Sequence, residues 1–125
     1  MMTVNRADYT KQGIIVLAPT DELLTADVIR EIQAVIDFTG ANHIVIDLGE
    51  IRSLVSGSLY PQAEPFTPLL KLHQQLKHES RRLVLCNLGN DIADVFRITR
   101  FDQIFVITPD VAAALSRASG RSHLM

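Results

Sequence analysis

The chain has 125 residues, 47% apolar and 21% charged, which describes one globular domain around one core rather than two domains or a disordered chain. Its net charge of −2 is scattered in both signs, so there is no basic stripe for a nucleic acid backbone, and no apolar run approaches the roughly 18 residues of a membrane span. The lone Cys86 excludes an internal disulfide and a multi-cysteine metal site. Together with an amino-terminal stretch that lacks the apolar core of a signal peptide, it points to a cytoplasmic protein without direct membrane insertion.

Taken in chain order, a run from Val4 to Tyr9 reads as an edge strand hairpinned across Lys11, Gln12 and Gly13 to a stronger strand, Gly13 to Ala18. Thr25 is placed to cap a helix whose apolar stripe is Val28, Ile29, Ile32, Val35 and Ile36, with Asp27 in its first turn and Gly40 to close it. His43 to Leu48 follows as a buried strand. A second helix is expected from Thr67, with Pro68 at its first position, to about Glu79, turning Leu69, Leu72 and Leu76 inward.

Leu83 to Asn87 is the next strand. Asn90 is expected to cap a third helix with Ile92, Val95 and Phe96 inward, Asp91 in its first turn and Arg97 and Arg100 near its end. Ile104 to Ile107 completes the strands. Thr108, Pro109 and Asp110 open a fourth helix ending near Gly120, and residues 120–125 are expected to form a flexible tail.

The four strand runs after the edge strand are continuous and rich in β-branched residues rather than alternating, which implies burial on both faces. Strands alternating with helices imply an α/β fold with a mainly parallel sheet. Functional loops then gather at the carboxyl ends of the strands: Pro19 to Leu24, Gly49 to Phe66, Asn87 to Asn90, and Thr108.

Gly49 to Phe66 is the longest of these, eighteen residues against the few that usually suffice. At its middle, Ser56, Gly57 and Ser58 admit two readings. The hydroxyls either satisfy backbone groups in an ordinary turn, or one of them accepts a phosphoryl group near a helix start. Tyr60, Pro61, Pro65 and Phe66 form either a stiffened hook for a partner or a pair of aromatics folded back on the domain.

Cys86 sits among apolar neighbours and reads as an inert buried thiol. His43, His73, His78 and His123 show no metal-ligand spacing, and no cofactor motif is present. The carboxylates Asp21, Glu22, Asp47 and Glu50 read as loop charges and helix caps, with a magnesium or phospho-aspartate cluster as the alternative. No constellation supports catalysis, so an enzyme is not expected.

The order of elements and the local wording together resemble the STAS family, named for sulfate transporters and anti-sigma factor antagonists. LAPTDELLTADVIREIQ is similar to the family's strand, acidic loop and first helix, with Glu22 where an aspartate is common and Thr25-Ala26 as a frequent pair. HIVIDLGEIRSLVSGSL is similar to the strand followed by an aspartate-serine-serine-glycine loop. RRLVLCNLGNDIADVFRITRFDQIFVITPDVAAAL is similar to the remaining half.

The resemblance implies a single domain with a sheet of four or five strands, parallel or mixed, and four helices packed mainly on one side. It also implies a regulatory module that binds a kinase-type anti-sigma factor or another signalling protein. In the family's bacterial regulators the loop serine is phosphorylated by that kinase. Here the phosphoacceptor position falls on Ser56, and the partner surface on Glu22, Thr25, Gly57, Ser58 and Leu59, extended by Tyr60 and Phe66.

The chain departs from the pattern at the switch. Val55 replaces the aspartate before the serine, glycine and serine are exchanged at positions 57 and 58, and YPQAEPF is inserted before the second helix. Arg100 stands where a glycine is common, at a position suited to a left-handed backbone. These changes keep open a scaffold or homodimerisation module without a phospho-switch, and a component associated with lipid or transport.

Overall fold

The structure, a computed structural model, describes residues 4–9, 13–52 and 66–119. Its elements are β1 (Val4–Tyr9), β2 (Ile14–Pro19), α1 (Ala26–Thr39), β3 (His43–Asp47), α2 (Phe66–His78), β4 (Arg82–Cys86), α3 (Asn90–Ile98), a 3-10 turn (Phe101–Gln103), β5 (Val106–Thr108) and α4 (Val111–Ser119). The sheet runs β1-β2-β3-β4-β5. β1 is antiparallel to β2, and the other neighbours are parallel.

This order explains where the helices lie. From β2 to β5 the chain steps across the sheet in one direction, and right-handed crossovers then put every connecting helix on the same face. Accordingly α1, α2 and α3 share one core with Ile15, Leu17, Ile44, Ile46, Leu83 and Leu85. α4 follows the last strand and has no crossover to make. It covers the opposite face, where Ala114 packs with Ile14, Val16, Val45, Val84 and Cys86.

Most of the expected stripes are buried as read: Val28, Ile29, Ile32, Val35 and Ile36 on α1, Leu69, Leu72 and Leu76 on α2, Ile92 and Phe96 on α3. Thr25 caps α1 by accepting the Val28 N–H at 3.2 Å, and Gly40 closes it at φ 66°. Arg81 stitches α1 to β4. Its Nε donates to Ala41 O at 2.7 Å, just past the helix, and one Nη to Ile36 O at 3.3 Å, a carbonyl that also accepts the Gly40 N–H.

The ends of β2, β3 and β4 shift by one residue, and three further boundaries differ from the sequence reading. Asn90 is the first residue of α3 rather than its cap; Gly89 holds the cap position and makes no side-chain bond. α2 begins at Phe66, one residue early, which places Pro68 third in the helix, where a missing N–H still breaks no intrahelical bond. Ile104 and Phe105 precede β5, because their N–H groups are both taken by Phe101 O at 3.0 Å, and Phe105 turns into an aromatic cluster with Phe96 and Phe101.

Arg100 occupies the left-handed region at φ 65° and ψ 18°, as its position implied. A non-glycine residue there costs roughly 1–2 kcal/mol, against roughly 0.5–1 kcal/mol of extra chain entropy for glycine. Arg100→Gly is therefore expected to stabilise the domain by about 0.5–1 kcal/mol, seen as a higher urea midpoint with an unchanged slope.

Candidate functional site

The carboxyl ends of β2, β3 and β4 bring three connecting segments together. β3 ends at Asp47, whose Oδ1 accepts from the Gly49 N–H at 2.9 Å and from Asn87 Nδ2 at 3.0 Å. Asn87 reaches this position from the end of β4 with φ 59°, a left-handed conformation that asparagine tolerates better than most residues. Gly49 is confined as well: a Cβ there would lie 3.1 Å from Asp47 Oδ1.

The following residues are anchored from below and from the side. Leu48 and Ile51 are buried in the main core, and the Ile51 N–H closes a turn onto Leu48 O at 3.0 Å. The Arg52 N–H donates to Glu22 O at 2.7 Å. This bond ties the loop after β2 to the first residues of the long loop after β3. Glu22 is exposed and Thr25 half-buried, so the acidic loop and the start of α1 flank the segment leading to Ser56.

On its other side this segment faces the start of α3. Gly49, Ile51 and Arg52 line a shallow depression of about 400 Å³ with Gly89, Asn90, Asp91 and Ile92. Cys86 lies below the surface, fully buried. Its thiol is pushed up to about 12, first by burial and then by the charges of Asp47 and Asp110, so it stays protonated at neutral pH. This agrees with the reading of an inert thiol.

Ser56, Gly57, Ser58, Leu59 and Tyr60, and with them the inserted segment up to Pro65, lie outside the described residues. Phe66 is described only as the first residue of α2. Of the expected surface, the structure therefore brings together Glu22, Thr25 and the base of the long loop. Among the described residues, no group of three His, Cys, Asp or Glu side chains is placed to hold a metal ion. Among the same residues, no helix is long and apolar enough to cross a membrane.

The sequence reading missed Asn87 and the bond between Arg52 and Glu22. An asparagine directly after a buried strand was a usable signal, since that residue type favours left-handed turns. The second was not legible, because a backbone bond between residues thirty positions apart leaves no mark on either residue type.

Compared by sequence, the chain matches no family model and no curated protein. Compared by structure, it is similar to the Thermotoga maritima protein TM1081, with a TM-score of 0.70 at 19% identity over 94% of this chain and 88% of that one. An anti-sigma factor antagonist from Mycobacterium paratuberculosis superposes with a TM-score of 0.69 at 19% identity, over 93% and 92% of the two chains. The anti-sigma factor antagonist SpoIIAA in its unphosphorylated form gives 0.68 at 15% identity, over 94% and 96%, and the Bacillus protein is also known in a phosphorylated form. With TM-scores of 0.68 to 0.70 and nearly full coverage in both directions, this chain has the fold of the anti-sigma factor antagonist, or STAS, domains.

Proposed function

We propose that this chain is a non-catalytic regulatory module of the cytoplasm that binds a kinase-type anti-sigma factor or a related signalling protein through the carboxyl edge of its sheet. Ser56 is the residue whose phosphorylation switches that binding. The observation that carries this reading is the bond from Arg52 N–H to Glu22 O, which sets the acidic loop and α1 beside the base of the Ser56 loop, in a fold shared with anti-sigma factor antagonists.

The physical effect of the switch follows from charge. A phosphoryl group adds about −1.5 to −2 charges to a loop whose neighbours Leu54, Val55 and Leu59 are apolar, and Glu22 and Glu50 flank its base. Docking then has to desolvate a dianion beside carboxylates. Binding is expected to survive Ser56→Ala and to weaken at least about tenfold with Ser56→Asp, measured by calorimetry against anti-sigma-factor kinases, with phosphate transfer followed by intact mass. Equal affinity of both variants, together with an unchanged phosphorylation mass, would exclude the serine switch.

A further inference from the structure

At the opposite end of the sheet the strand register leaves a notch. The first β4–β5 pair is Val84 with Val106, so Arg82 and Leu83 run past the start of β5. The Arg82 N–H donates to Asn42 O, on the β3 side, at 2.9 Å. Successive strand residues turn their N–H groups to opposite sides, so the Leu83 N–H faces the notch. The space is a cavity of about 300 Å³, bordered by His73 and Lys77 from α2 and by Ile104 and Val106 before and within β5.

The charged residues that line it, Lys77, Arg81 and Arg82, are all cationic. Lys77 is exposed, and Arg81 and Arg82 stand at the start of β4. Arg81 is held by Ala41 O, Ile36 O and Glu79, and Arg82 donates one Nη to Arg117 O at 2.7 Å. Glu79 is the carboxylate bonded to this group, and it is occupied by Arg81 and Gln75. The His73 ring packs on Phe105 with centroids 5.0 Å apart, and its pKa is held below the ordinary value first by burial and then by Lys77. Ile104 adds exposed apolar surface beside these donors, 42% of its area being open to solvent.

From this juxtaposition of cations, an inward backbone donor and exposed aliphatic surface, we infer that the notch binds a small organic anion: a carboxylate or phosphate monoester on a compact apolar body. The head group is met by Lys77 and the Leu83 N–H, and the body lies against Ile104 and Val106. The site lies at the end of the sheet opposite Gly49 and Arg52, and the inference does not depend on the proposed role of Ser56.

The test is an NMR titration of the full chain with benzoate and with phenyl phosphate. Acetate and inorganic phosphate serve as probes without the apolar body, and sodium chloride matches ionic strength. Saturable shifts of the Leu83 N–H and the His73 ring are expected, with half-saturation for at least one aryl anion at least about fivefold below that of its body-less counterpart. The His73 pKa is expected to rise in the complex, because a neighbouring anion favours the charged imidazolium. Lys77→Gln, an exposed change that leaves the fold intact, is expected to weaken binding about fivefold to tenfold. Saturation by either aryl anion supports the site and identifies its head group. Shifts that fail to saturate, that chloride reproduces, or that persist unchanged in Lys77→Gln would overturn the assignment.

Discussion

Phe96→Ala is expected to destabilise the domain by about 3–5 kcal/mol, lowering the melting temperature by roughly 10 °C or more. Phe96 is fully buried, and its ring meets Phe105 at 5.7 Å and Phe101 edge-on at 6.3 Å. These contacts hold α3 and the turn before β5 against the sheet. Truncation removes one of the largest buried side chains among the described residues and leaves a cavity that α3 cannot close without moving. Domains of this size are stable by only about 5–15 kcal/mol, so the loss is a large share of the total. Phe96→Leu keeps most of the volume and is expected to recover more than half of it, checked by urea denaturation.

Asp47→Ala is expected to cost about 2–3 kcal/mol, more than an exposed aspartate would. One carboxylate oxygen accepts both the Gly49 N–H and Asn87 Nδ2. Without it, two donors at the end of β3 lose a charged acceptor, and Asn87 loses the bond that rewards its left-handed backbone. Asp47→Asn retains an oxygen in the same place and is expected to give back about half. If the two variants are equally stable by chemical denaturation, the acceptor role is wrong. Because Asp47 starts the loop that leads to Ser56, the alanine variant is also expected to weaken partner binding while leaving the notch at the other end of the sheet able to saturate with its anion.

The local grammar of the chain was legible from residue types. Thr25, Gly40 and the five-residue apolar stripe of α1 specify that helix with no help from the rest of the molecule, since capping and amphipathic period are properties of adjacent residues. Boundaries were legible where such chemistry exists and blurred where it does not. Asp110 opens α4 with a real cap, its Oδ1 accepting the Ala113 N–H at 2.8 Å, whereas the chain before α3 offers only Gly89. The start of β5 was misread because IFVI carries strand propensity throughout, while burial of Phe105 in the aromatic cluster bends its first two residues out of the sheet.

Residue types alone thus determined an α/β chain of four buried strands with a weaker edge strand and four helices, the first three with a definite inner face. The tertiary structure decided the strand order, the placement of α4 on the face that the crossovers leave bare, and the meeting of the Glu22 loop with the base of the Ser56 loop. The division has a physical cause. Caps, turns and periodic stripes act over a few residues, whereas register and backbone bonds such as Arg52 to Glu22 exist only after distant segments have been brought together by burying their apolar faces.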